Sequence, residues 1–279
     1  MAIQEIVKIL TDSGIEPNEA NIEVKLLIEH FANYSVKDII MGNKLDEEKL
    51  KLVREKAELR ARTRQPIQHI IGFANFMGEN FIVNKNVLIP RDETEILVRK
   101  SVEIITKNNF KHALDIGTGS GCIACMIAQN TDCQIVGLDI STEALSIALD
   151  NASRLNLFNK AIFRKSDIFS NIKAYEKFDI MVSNPPYIPL KEKSNLQKEV
   201  SFDPEKALFT SDEEGLEFYE KITKDAPKYL SKGGYLVYEV GMNQSEKVQN
   251  IMTNNGFQNI EIINDLAGIG RVVLGNLPD

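Results

Sequence analysis

The chain has 279 residues, 43% hydrophobic and 26% charged, with a net charge of -7 and no Trp. That length suits a main domain with a smaller appendage, large enough to fold without disulfide or metal staples. The acidic balance argues against a protein that lives on duplex DNA, whose affinity comes largely from neutralised phosphates, and no apolar run of about 18 residues predicts a membrane span.

The first residues, MAIQEIVKILTDSGIEPNEA, lack a basic segment followed by an apolar one and read as neither signal nor transit peptide. Residues 1–63 read as a small all-α domain. Val24, Leu27, Ile28 and Phe31 fall on one face of a helix. Ser35 and Asp38 form a capping signal ahead of Ile39 and Ile40, with Gly42 as a stop. A third helix is expected from Asp46 to Arg62, with Leu50, Val53 and Ala57 inward. Residues 64–90 mix apolar runs with Gly and Asn, and Met77-Gly78-Glu79-Asn80 predicts the turn of a short β-hairpin that serves as a connector. In residues 91–279, helical stretches alternate with strands at His112–Ile116, Gln134–Ile140, Ala161–Arg164, Phe178–Ser183 and Gly234–Val240. A pair at Ile260–Ile263 and Arg271–Leu274 follows. The alternation predicts an α/β fold: a doubly wound, mainly parallel seven-stranded sheet with helices on both faces.

Cys122, Cys125 and Cys133 are an odd set, which fits a reducing cytoplasm. With only His30, His69 and His112 beside them they make a poor zinc set, so they read as packing residues and no metal is expected.

Two stretches carry chemistry. In ALDIGTGSGCIA, Asp115 ends a strand, Gly117-Thr118-Gly119-Ser120-Gly121 makes the turn, and Cys122 opens a helix. Glycine lets the backbone come close to a ligand, and the end of the first strand of such a sheet is where ligands bind. The GxGxG spacing is not the GxGxxG of a dinucleotide site, and no ATP-type phosphate loop is present. Asp139 ends the next strand, where an acid can accept both hydroxyls of a ribose. Asp167, followed by Ile168, closes the third strand near where an adenine edge would sit. The set describes a nucleoside site with no provision for phosphates, which suits S-adenosylmethionine, and its acids suit a sulfonium cation.

The second stretch is Val182-Ser183-Asn184-Pro185-Pro186-Tyr187. Two prolines cannot continue a strand, so the break leaves an amide and an aromatic ring at the sheet edge.

With these motifs in this order, the chain resembles the class I S-adenosylmethionine-dependent methyltransferases. Among them it resembles those with an Asn/Asp-Pro-Pro-Tyr/Phe motif, which act on adenine N6, cytosine N4 or glutamine N5. The resemblance to the HemK/PrmC family of peptide chain release factor N5-glutamine methyltransferases extends over nearly the whole length. Arg64–Gly72 is similar to the segment after that family's helical domain. Val87-Leu88-Ile89-Pro90-Arg91-Asp92-Glu93-Thr94-Glu95 matches its LIPRPxTE signature with Asp92 in place of Pro. Phe202–Leu208 resembles its EPxxAL with Asp203 for Glu, and Arg271-Val272-Val273 fits its terminal strand. Ile168 stands where some members have Trp.

The resemblance implies methyl transfer from S-adenosylmethionine to the glutamine of a Gly-Gly-Gln motif in class I release factors. Gly117, Thr118, Gly119, Ser120, Gly121, Asp139, Asp167, Ile168 and Asn184 would bind the cofactor. Asn184, Pro185, Pro186 and Tyr187 would hold the substrate, with Asn184, Pro185 and Tyr187 catalytic. Leu190–Leu208 would border the substrate entrance. The helical domain would help bind the release factor, and the protein is expected to be a monomer with no direct nucleic-acid or membrane partner. An adenine N6 DNA methyltransferase would instead have to flip a base into the same pocket, without the basic stretch such an enzyme uses. A non-catalytic recruiting module would lack affinity for the cofactor.

Overall fold

In the computed structural model the described residues are 2–278 apart from 36, 39–40 and 42–45. The chain divides into two compact units, Met1–Phe73 with Gln197–Phe202 and Ala74–Leu196 with Asp203–Asp279.

The first unit is built on helices Ala2–Asp12, Pro17–Ala32 and Glu47–Thr63. Asp46 begins the last of these by accepting the backbone N–H groups of Glu48 and Lys49, which satisfies donors the helix itself cannot pair. Val24, Leu27, Ile28, Val53 and Ala57 are all fully buried in one cluster with Ile6 and Leu10. Phe31 and Leu50 pack against its edge. Ser35 and Asp38 make the reciprocal bonds of a capping box; Ile39, Ile40 and Gly42 lie outside the described residues. The short helix Ile67–Ile71 belongs to this unit, because Ile67 is buried in the same cluster. The connector expected from residue 64 is therefore divided, since its hairpin packs elsewhere.

A buried ionic network ties the first unit together. Arg60, 1% exposed, donates from Nε and Nη2 to Glu23 at 2.9–3.1 Å and from Nη1 to Glu199 at 2.8 Å. Removing one partner of a buried pair strands the other charge, at about 3–5 kcal/mol. Arg60→Ala is expected to lose about that much in urea unfolding. Arg60→Met with Glu23→Leu should recover most of it, and equal losses in the single and double variants would contradict a stranded-charge origin.

The second unit, from Ala74, holds the rest of a hairpin formed by β1 (Phe73–Phe76) and β2 (Glu79–Ile82) and turned at Met77 and Gly78; Phe76 and Phe81 are buried in the main core. The main sheet contains β3 (His112–Ile116), β4 (Gln134–Asp139), β5 (Ala161–Lys165) and β6 (Phe178–Ser183). A two-stranded ribbon of β7 (Ile188–Pro189) and β8 (Phe209–Thr210) lies outside it, and β9 (Leu230–Glu239), β10 (Gln258–Asn264) and β11 (Gly270–Asn276) complete the seven strands. Their order is β10-β11-β9-β6-β3-β4-β5, parallel except for β11, which runs antiparallel to both its neighbours.

Side chains alternate across the sheet as the two-residue period requires. Ala113, Ile135, Ile180, Val182 and Val237 face one core, with helices Thr94–Asn108 and Cys122–Asn130. Leu114, Leu138, Met181, Leu236 and Tyr238 face the other, with helices Glu217–Asp225 and Ser245–Asn254. The three cysteines are free and buried in the first core. No helix among the described residues is long and apolar enough to cross a membrane.

The strand expected through Ile140 stops at Asp139, because the Asp139 carboxylate accepts the Ser141 N–H at 2.8 Å and turns the chain. The segment Leu190–Leu208, expected to border the substrate entrance, folds into 3-10 turns Leu190–Asn195 and Lys198–Phe202 and a short helix Glu205–Leu208.

Candidate active site

From β3 the chain moves to β4 and β5 on one side, then crosses back to β6 on the other. In such sheets the strand ends diverge at that reversal and leave a crevice. Register then decides what meets there. Ile116 lies opposite both Leu138 and Ser183, so the residues that follow, Gly117, Asp139 and Asn184, emerge side by side. Ser183 Oγ donates to the Ile116 carbonyl at 2.7 Å and ties the two strand ends together.

A cavity of about 870 Å³ opens at this edge, within the 300–1,000 Å³ typical of ligand pockets. Of the residues singled out in the sequence, Gly117, Gly119, Asp139, Asp167, Ile168, Asn184, Pro185 and Pro186 line it. Thr118, Ser120, Gly121 and Tyr187 are not among its lining residues, and each has a different engagement. Thr118 turns inward and donates to Asp115 Oδ2 at 2.6 Å. The Ser120 carbonyl accepts Asn151 Nδ2 at 2.9 Å. The Tyr187 carbonyl accepts Gln244 Nε2 at 3.0 Å, and burial pushes its phenol up to about 12.

Gly121 caps the helix that follows, at φ +79°, where a Cβ would stand 2.9 Å from Ala148 Cβ and 3.1 Å from the Phe163 ring. Left-handed strain and overpacking combine there. Gly121→Ala is expected to cost roughly 2–4 kcal/mol in urea unfolding, a loss of fold rather than of ligand contact; unchanged stability would contradict this packing role. Ile168 also holds a positive φ, +48°, which is strained for a β-branched residue.

Asp139 Oδ2 accepts the Gly119 N–H at 2.9 Å, and Oδ1 accepts that of Ser141. Each oxygen keeps a further lone pair for a ligand hydroxyl. Burial raises the Asp139 pKa, opposed by those backbone bonds.

Sequence reasoning missed several residues. Lys85–Leu88 line the cavity with Phe209 and Phe218, brought there by tertiary folding alone; Pro204–Ala207, which also line it, lie in the Leu190–Leu208 segment expected at the entrance. Two buried acids were also passed over. Burial pushes Asp115 up to about 7, opposed by its Thr118 bond, with the Asp139 charge adding to the rise. Glu239, at the end of β9, is 3% exposed and likewise pushed up to about 7. Their signal was an acid inside an apolar run, as in Leu236-Val237-Tyr238-Glu239-Val240. No group of three or more metal-ligating side chains occurs among the described residues.

The family model described as a methyltransferase domain matches residues 107–268. The release factor glutamine methyltransferase of Clostridium acetobutylicum is 40% identical over 233 residues, covering 82% of this chain and 81% of that protein. The protein of the same name from Fusobacterium nucleatum is 37% identical over 236 residues. That alignment covers 84% of this chain but only 66% of the relative. Among solved structures, the hMettl16 catalytic domain in complex with MAT2A 3'UTR hairpin 1 superposes with a TM-score of 0.61 at 15% identity. It covers 81% of this chain and 82% of that one, a likeness of fold.

Proposed function

The chain belongs to the release factor glutamine methyltransferases, and we propose that it methylates the side-chain amide nitrogen of the Gly-Gly-Gln glutamine in class I peptide chain release factors, with S-adenosylmethionine as methyl donor. The observation that carries this reading is the convergence of Gly117, Gly119, Asp139, Asn184 and Pro185 on one cavity.

The donor set suits the cofactor. Asp139 offers a carboxylate with open lone pairs, Gly119 at φ +54° presents no side chain, and nothing stands within 4 Å of the position its Cβ would take. When bound, S-adenosylmethionine supplies an electrophilic methyl group on a sulfonium sulfur. Asp139 would hold the ribose, with Asp167 and Ile168 beside the adenine.

A glutamine amide nitrogen is a weak nucleophile, because its lone pair is shared with the carbonyl. Asn184 Oδ1 and the Pro185 carbonyl would accept its two N–H bonds, fix the orientation of the nitrogen and stabilise the positive charge that grows on it. The two prolines restrict the backbone of the clamp. One amide proton then leaves to water. The helical unit, 1–63 in the sequence reading, would bind the body of the release factor.

The test is labelled-methyl transfer offered a class I release factor, the same factor with its Gly-Gly-Gln glutamine changed, and duplex DNA. Label on the intact factor alone supports the reading. Label on DNA would replace the substrate by an adenine.

A further inference from the structure

A primary amide can be turned over, exchanging its oxygen and nitrogen at almost no steric cost. A clamp that must present oxygen to a substrate N–H therefore needs something behind it to fix the rotation. Asn184 Nδ2 donates to Thr94 Oγ1 at 3.3 Å, and Thr94 is 3% exposed at the start of its helix. Beside them lies Glu239, whose buried Oε2 has no hydrogen-bond partner among the described residues. Strands β6 and β9 pair in parallel with Ser183 opposite Tyr238, which brings Glu239 beside Asn184 at the strand ends.

We propose that Glu239 and Thr94 are positioning residues that hold the Asn184 amide nitrogen to the rear, so that Oδ1 faces the cavity. This rests on the reading of Asn184 as the substrate clamp. Neither Thr94 nor Glu239 lines the cavity, whereas Asn184 does. An ionised Glu239 accepts only and thus selects the nitrogen. A protonated Glu239 can donate to Oδ1 and release the amide to turn over.

The charged neighbours of that carboxyl are Glu93, which raises its pKa, and Arg271, which lowers it, while burial dominates. The phenols of Tyr187 and Tyr219 and the Cys122 thiol also face the site; burial pushes all three up, so they stay neutral. Turnover should therefore rise with pH through about 7 as Glu239 ionises.

Glu239→Gln keeps the shape but adds a donor. It is expected to lower kcat on the release factor roughly 10- to 100-fold, below the loss of the clamp itself. The cofactor Kd and the release-factor KM should stay within about threefold, and the rise through pH 7 should vanish. Thr94→Val should show the same split more weakly, with Thr94→Ser restoring wild-type turnover. A measurement that needs no substrate follows the Asn184 side-chain NH₂ by NMR, identified by its absence in Asn184→Asp. Its shifts should titrate near pH 7 in the wild type and not in Glu239→Gln.

Wild-type kcat and an unchanged pH profile in Glu239→Gln, or a loss confined to KM, would overturn the inference. So would Asn184 signals that ignore pH. Failure of the wild type to methylate any release factor would instead sink the assigned substrate, and the NMR titration would still decide the positioning role.

Discussion

Asn184→Ala is expected to lower turnover at least a hundredfold while cofactor affinity stays within a few-fold of wild type. Removing one fixed partner of a charge that develops in the transition state costs about 10²–10³ in kcat. Asn184 projects just beyond the end of β6, into the cavity but on the side of the two prolines. The Gly119 and Asp139 pair is held separately by its own 2.9 Å bond. The fold should tolerate the change, since Asn184 is only partly buried and its one side-chain bond is to Thr94. Single-turnover methyl transfer and calorimetric binding of S-adenosylmethionine, run on the same preparation, separate the two effects. Parallel losses of cofactor affinity and rate would move Asn184 out of the clamp and into the cofactor site.

Gly119→Val should produce the opposite pattern: loss of detectable cofactor binding in a protein that still folds. No atom lies within 4 Å of the position of a Gly119 Cβ, so the added side chain projects into open space at the cavity rather than into the core. There it displaces ligand volume, not protein. The backbone at φ +54° also disfavours a β-branched residue, by about 1–3 kcal/mol, which would pull the loop away from Asp139. Calorimetry with S-adenosylmethionine and a thermal melt decide the point: near-normal affinity refutes the loop assignment, and outright unfolding refutes the claim that the position is open. Gly121, two residues later, is a packing glycine, and the contrast between the two substitutions separates ligand contact from core contact within one turn.

Some of this was legible in the sequence because it depends on near neighbours in the chain. The 3.6-residue spacing of Val24, Leu27 and Ile28 specifies a buried helix face, and all three are fully buried. The apolar runs at His112–Ile116 and Phe178–Ser183 became strands with those bounds, since β-propensity and the flanking Gly and Pro act locally. The glycine loop, the acid after the next strand and the Asn-Pro-Pro-Tyr break could each be recognised from residue type and order.

Other features were decided only when the sheet formed. Three distant segments share one cavity because Ile116 pairs with both Leu138 and Ser183 at the strand reversal, and register is a property of whole strands. Thr118 and Ser120 belong to the glycine loop in sequence yet are buried, the Thr118 hydroxyl on Asp115 and the Ser120 carbonyl on Asn151. Gln244 bonds the Tyr187 carbonyl, and the β6–β9 register sets Glu239 beside Asn184; no local pattern links partners so far apart. Residue type and order set which groups are available for methyl transfer and which segments carry them. Which of those groups reach the cavity, and which buried partners aim them, followed only from long-range strand pairing, because that pairing sets side-chain direction.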